Sequence, residues 1–247
     1  SNLNGEIMKL LGLLLLLAVA ASFAQPSDIL IYADVELGYG TAVTTACGNL
    51  WPGANVNSYS GGTAGQTSFN NDLASQAWDI VVIESWYYDS DGLDWMMVND
   101  VYDTTPIFAS CWEWTGGTSG QMTLANTMGV SGAAGFGAPV IPHYAWDSGH
   151  PICSGISDWG WNDPGLGILN ARFTVSSATP VTGWTASPTV GQAGICVAGN
   201  GMSVISGYTP AYSNSAVPLW ENILGFMAGT PALERSTWGE IKTLFDE

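Results

Sequence analysis

PIFASCWEWTGG, residues Pro106–Gly117, reads as a short buried strand that breaks into a turn, with Cys111 at the break. An apolar run this short fits a buried strand or a piece of buried helix, and its neighbours decide between them. Upstream, Trp78–Glu84 (WDIVVIE) is a continuous apolar run, suited to the middle of a parallel sheet with both faces covered. Between the two lie the loop WYYDSDGLD and a helix over Leu93–Tyr102. Further upstream, Asp28–Ala33 is a first buried strand ending at Asp34, and Gly38–Leu50 is a helix stopped by Trp51-Pro52-Gly53. Asn55–Tyr59 is a second strand, Gly61–Gly65 a glycine-rich loop, and Ser68–Ala77 a helix. The loop lacks the Lys-Ser/Thr of a phosphate-binding loop. Downstream, Gly116–Gly120 is a loop and Gln121–Met128 a helix capped by Gly129.

This β-α alternation predicts a three-layer α/β fold with a mostly parallel sheet between helices. Ligands in such folds bind beyond the carboxyl ends of the strands, where Asp34/Glu36, Glu84 and Cys111/Glu113 fall. After Gly129 the periodicity weakens. Leu169–Val175 and Val181–Trp184 read as short strands. Gly194–Ala198 and Met202–Ser206 are strands joined through Gly199-Asn200-Gly201, a β-hairpin signal. Val217–Ala228 is an amphipathic helix with Trp220, Ile223, Leu224 and Met227 on one face.

The 247 residues divide into three parts. Residues 1–24 read as a signal peptide with upstream residues. Met8-Lys9 precedes the apolar run Leu10–Ala20 and the small-x-small end Ser22-Phe23-Ala24. That run is shorter than the roughly 20 residues a membrane span needs. Residues 25–229 form one α/β domain, and 230–247 a linker or short helix with Ser236 as its N-cap. An exported, extracellular or cell-surface protein is the expectation. The chain carries 21 acidic residues against 4 basic ones, and Arg172 is the one cation between leader and tail. Nucleic acid and anionic membrane surfaces are therefore excluded as partners.

Four cysteines, Cys47, Cys111, Cys153 and Cys196, allow three full pairings, and Cys153–Cys196 is the preferred one. No pair has CxxC spacing, so a zinc knuckle has no support. A nucleophilic cysteine at Cys111 needs a base, and the chain has two histidines, His143 and His150. Glu84 and Glu113 are the candidate acidic neighbours. Asp89, Asp91 and Asp94 offer carboxylates for calcium, the one cofactor the sequence suggests, but lack the bidentate glutamate of a full loop. Twelve tryptophans are many for this length. Trp86, Tyr87, Trp112, Trp114 and Trp146 fall in loops, several at predicted strand ends, where rings stack on sugars or fill protein interfaces. An extracellular glycan or protein, or a second copy of the chain, is the expected partner.

The pieces DILIYAD, WDIVVIES, PIFASCWEW, ANTMGVSG, HPICSGI (His150–Ile156), GICVAGNGMSVISGYTP and LWENILGFM, in this order, resemble the class I glutamine amidotransferase-like superfamily over Asp28–Gly229. The resemblance implies a flavodoxin-like fold. In catalytic members a cysteine sits at a strand-to-helix elbow, G-x-C-x-G, and a later histidine within F-H-P-E takes its proton. Cys111 matches the elbow, while Ala109 and Glu113 stand where glycines are expected. Tyr208 or Thr209 lies at the histidine position and Ala211 at that of the glutamate. The expected function is therefore a secreted, non-enzymatic binding or assembly module. The alternatives are a hydrolase acting through Cys111 and a calcium-supported surface protein.

Overall fold

A computed structural model describes residues 25–35, 40–86, 89–111, 114, 119–136, 142–161 and 170–229. The leader, the tail, Glu36, Tyr87, Trp112 and Glu113 lie outside the described residues. The first half alternates as expected. Strand β1 (Asp28–Asp34) leads to α1 (Thr41–Leu50), and β2 (Asn55–Tyr59) to α2 (Gly62–Ser75). Then β3 (Ile80–Ser85) leads to α3 (Trp95–Val101), and β4 (Ile107–Cys111) to α4 (Ser119–Thr127). The second half adds β5 (Val130–Phe136), β6 (Tyr144–Ala145), β7 (Asn170–Val175), β8 (Thr179–Pro180), β9 (Thr182–Gly183), β10 (Ile195–Val197) and β11 (Val204–Ser206). Helix α5 (Ala216–Met227) closes the domain.

The main sheet has seven strands in the order β2-β1-β3-β4-β11-β10-β8. The pairs from β2 through β11 are parallel, and β10 and β8 add an antiparallel edge. The sheet is thus mixed but mostly parallel, with the flavodoxin-like arrangement the sequence predicts. The β10–β11 hairpin forms as expected. Asn200 holds its turn by accepting from the N–H groups of Met202 and Ser203, and it donates to the Tyr102 carbonyl at 3.0 Å. β5 pairs with β7, and β6 with β9, outside the main sheet.

Strand alternation sorts the core into two layers. Ile29, Ile31, Val82, Phe108, Val204 and Ile195 face α1 and α5. Leu30, Tyr32, Val81, Ile83, Ile107, Ala109 and Ile205 face α2, α3 and α4. Helix α1 presents the small residues Ala42, Val43, Ala46 and Cys47 to the sheet side. Helix α5 buries Leu219, Trp220, Ile223, Leu224 and Met227, the i, i+4 stripe of an amphipathic helix.

Three local expectations change. The glycine-rich stretch read as a loop opens α2, which starts at Gly62. A Cβ on Gly65 would lie 2.1 Å from the Ser60 carbonyl oxygen, so glycine lets the chain fold back there. β5 occupies part of the stretch after Gly129 where the sequence shows no periodicity. The preferred Cys153–Cys196 disulfide is absent. Cys153 packs in the layer under α1 and α5, Cys196 points to the opposite layer, and the four cysteines are buried with no disulfide between them.

Candidate functional site

The strands stay apolar along their length and turn polar at their carboxyl ends. Register places the polar residues in two rows. Asp34, Ser85 and Cys111 are lateral partners across β1, β3 and β4, on the face covered by α2, α3 and α4. Glu84, Ser110 and Ser206 are lateral partners across β3, β4 and β11, on the face covered by α1 and α5. Neighbouring strands lie about 4.8 Å apart, so each row is a line of adjacent side chains.

The second row is well knit. The Trp86 indole N–H donates to Ser110 Oγ at 2.9 Å, and Ser110 Oγ donates to the Ser206 carbonyl at 2.9 Å. The Trp114 indole N–H reaches the same carbonyl at 3.2 Å. Glu84 is fully buried, and its Oε1 accepts from the Ala211 backbone N–H at 2.9 Å. Its Oε2 has no partner. Burial pushes the Glu84 carboxyl up to about 8, against the smaller opposing effect of the Ala211 bond. Ala211 belongs to a single 3-10 turn, Pro210–Tyr212, that follows β11 and lies over this end of β3. The chain reaches the turn through Gly207, where a Cβ would stand 2.1 Å from the Ala171 carbonyl oxygen.

The structure does not bring Cys111 and a histidine together. Cys111 is buried with Ile107 and Ala109 on the α2–α4 face. His143 stacks on Tyr208 at 4.3 Å and meets the edge of Trp184 at 4.4 Å; both partners belong to the opposite layer. Its Nε2 is 2.7 Å from Thr182 Oγ1, and burial pushes its pKa down to about 3. His150 packs on Phe226 of α5 at 5.0 Å, and its Nδ1 accepts from the Ile152 N–H. Burial lowers its pKa, partly offset by Asp147. Both imidazoles are packing residues on the far side of the sheet from the thiol. Glu84, the other expected neighbour, also points to that far side. Burial also pushes the thiols of Cys47 and Cys153 up to about 12, away from the thiolate.

The aromatic platform is corrected for the described residues. Trp86 is buried in the core. Trp114 is 1 % exposed and wedged against Trp95 and Phe173, with ring centroids 5.9 and 6.2 Å away. Trp146 is half-buried, with its indole N–H on the Thr185 carbonyl at 2.7 Å. These rings pack inward because each indole N–H finds an acceptor within the fold while its body covers apolar neighbours.

The aspartate loop has local work. Asp89 caps the turn Ser90–Gly92 by accepting from Asp91 N–H at 2.8 Å, and Asp94 caps α3 by accepting from Met97 N–H at 3.0 Å. Among the described residues, no three His, Cys, Asp or Glu side chains form a group able to hold a metal ion.

Sequence reasoning missed Ser110 and Ser206, for which serines that close apolar strands were the available signal.

No protein-family model matches the chain, and no curated protein matches it. Solved structures do resemble it. A ThuA-like protein from Parabacteroides merdae ATCC 43184 superposes with a TM-score of 0.50 at 9% identity, covering 84% of this chain and 91% of that one. A cold-adapted β-galactosidase from Rahnella sp. R3 superposes with a TM-score of 0.51 at 14% identity, covering 96% of this chain. The match spans only 36% of that enzyme's chain. A second ThuA-like protein, from Bacteroides uniformis ATCC 8492, has a TM-score of 0.48 at 7% identity and covers 87% of this chain and 95% of that one. ThuA-like proteins have the class I glutamine amidotransferase-like fold. At these identities the likeness speaks for the fold alone.

Proposed function

We propose that the chain is an exported, non-enzymatic binding domain that takes its ligand at the carboxyl edge of the parallel sheet. The observation that carries this reading is the sheet itself standing between Cys111 and both histidines. A cysteine nucleophile of the expected kind needs an imidazole to take its proton, and neither imidazole lies on the Cys111 side of the sheet. The edge still keeps a buried carboxyl, Glu84, where open α/β sheets bind ligands. The acidic balance, 21 acids against 4 basic residues, favours a neutral extracellular glycan or a protein surface over nucleic acid or anionic lipid.

The test joins two measurements on the mature protein. Iodoacetamide should alkylate Cys111 in the native state at least about a thousandfold more slowly than in urea, because access requires opening of the fold. A defined glycan and cell-surface protein array should return a saturable ligand. Fast native alkylation with a thiol pKa below its ordinary value would refute the non-enzymatic reading, and an empty array would refute the binding one.

A further inference from the structure

Buried polar atoms without partners gather around the turn that follows β11. Four of the nine such atoms among the described residues do so: Glu84 Oε2, Thr209 Oγ1, Trp161 Nε1 and Trp220 Nε1. Their side chains pack about the same corner. Ala211 of the turn donates to Glu84, and Thr209 stands at the head of the turn. Tyr212 of the turn meets the Trp161 ring at 5.6 Å, and Trp161 bridges to Ser213. Helix α5 packs on the turn and carries Trp220, which lies 4.5 Å from Phe108 on β4, two residues before Ser110. Buried polar groups almost always find a partner, and leaving one alone costs about 1–3 kcal/mol. A concentration of such groups in one place points to something that satisfies them together.

The chemistry of the set selects what that is. Two indole N–H groups only donate, a hydroxyl does both, and a carboxyl oxygen accepts, or donates when it carries the proton. A bound cation would meet the two indole donors. A bound anion would meet Glu84 with no basic side chain among the four, since Arg172 lies on β7. Hydroxyl groups, which accept from indoles and donate to a carboxyl or a threonine, match every member. The aromatic bodies of Trp161, Tyr212 and Trp220 supply the apolar walls that small-ligand sites use. The corner is also near the surface. Trp159 and Gly160 beside it are half-buried, and Asp158 and Asn214 are exposed.

We propose that the corner formed by Glu84, Thr209, Trp161 and Trp220 binds one small neutral polyhydroxy molecule, of the size of a polyol or monosaccharide. This rests on the reading that ligands enter at the carboxyl edge, and it names the chemical class for that edge.

The experiment titrates the mature protein with D-glucose, D-mannitol and myo-inositol, following tryptophan fluorescence and calorimetry. Ethylammonium and acetate represent the two excluded classes. At least one of the three polyhydroxy probes should saturate at concentrations on the order of tens of millimolar or below. Thr209→Val keeps the shape and removes an unpartnered hydroxyl. Its apo form should therefore melt no lower than the wild type, while its affinity for the same probe falls about tenfold, the loss of one hydrogen bond. Trp161→Phe should lose affinity to a similar extent. No saturation by any of the three probes, saturation by either ion instead, or unchanged affinity in both variants would overturn the site. Unchanged affinity in a protein that still saturates would leave carboxyl-edge binding standing, and the array result judges that wider reading separately.

Discussion

Replacing Glu84 with glutamine should make the protein's stability less dependent on pH, and the size of the effect follows from the burial of this carboxyl. The folded-state pKa is pushed from 4.5 up to about 8, chiefly by burial. Between those two values the folded chain holds a proton that the unfolded chain releases. Stability from this group is therefore complete below the unfolded pKa and is lost as pH rises through the folded one. The full loss is about 5 kcal/mol, from the pKa difference at 1.36 kcal/mol per unit. About 3 to 4 kcal/mol of it falls between about pH 5 and about pH 8. Glutamine cannot ionise, and its side-chain oxygen can keep the Ala211 N–H. It brings a buried NH2 that costs about 1–3 kcal/mol at every pH, which shifts the curve without tilting it. Urea unfolding of wild type and Glu84→Gln, followed by tryptophan fluorescence across that range, isolates the tilt, since other carboxylates cancel in the difference. The variant should gain on the wild type by about 3 to 4 kcal/mol as pH rises from about 5 to about 8. A difference that stays flat within about 0.5 kcal/mol would refute the buried, protonated Glu84.

Two further outcomes follow from packing. Trp114→Ala should cost about 3–5 kcal/mol in urea unfolding, because the ring is 1 % exposed and wedged between Trp95 and Phe173; a loss under about 1 kcal/mol would restore it as a surface ring. Gly207→Ala should cost about 1–3 kcal/mol by forcing its Cβ away from the Ala171 carbonyl 2.1 Å distant. The same variant should loosen the turn that holds Glu84, read as faster amide exchange at Ala211, and a wild-type exchange rate there would show that the approach at Gly207 does not position the turn.

Much of the fold was legible because its signals are local. The apolar run of β3, the Asn-Gly hairpin and the stripe of α5 each repeat with the period of their element. The start of α2 was not. Its glycines have low helix propensity, and the helix is held by Phe69 and Leu73 packing on the sheet, a tertiary effect. β5 was missed because VSGAAGF carries no alternation of apolar and polar residues. Within the site, the strand-end position of Cys111 and Glu84 could be read, since alternation and run length both end there. The side of the sheet taken by His143 and His150 could not, because both sit in irregular segments where no period links sequence to direction. The tryptophans misled for a related reason. A ring in a loop of the sequence is exposed only if the loop does not fold over it, and Trp114 and Trp86 are covered by elements far along the chain.

The insertion of β11 beside β4 has a consequence for how the chain is made. Ser110 and Ser206, which close the row at the carboxyl edge, are 96 residues apart in sequence. While the first half emerges, β1, β2, β3 and β4 can assemble, but the far side of β4 presents unpaired backbone groups until β11 arrives. An exposed, apolar strand edge is a template for pairing with another chain. Fragments ending before the hairpin should therefore self-associate, and this edge of β4 is covered only once β11 has been synthesised.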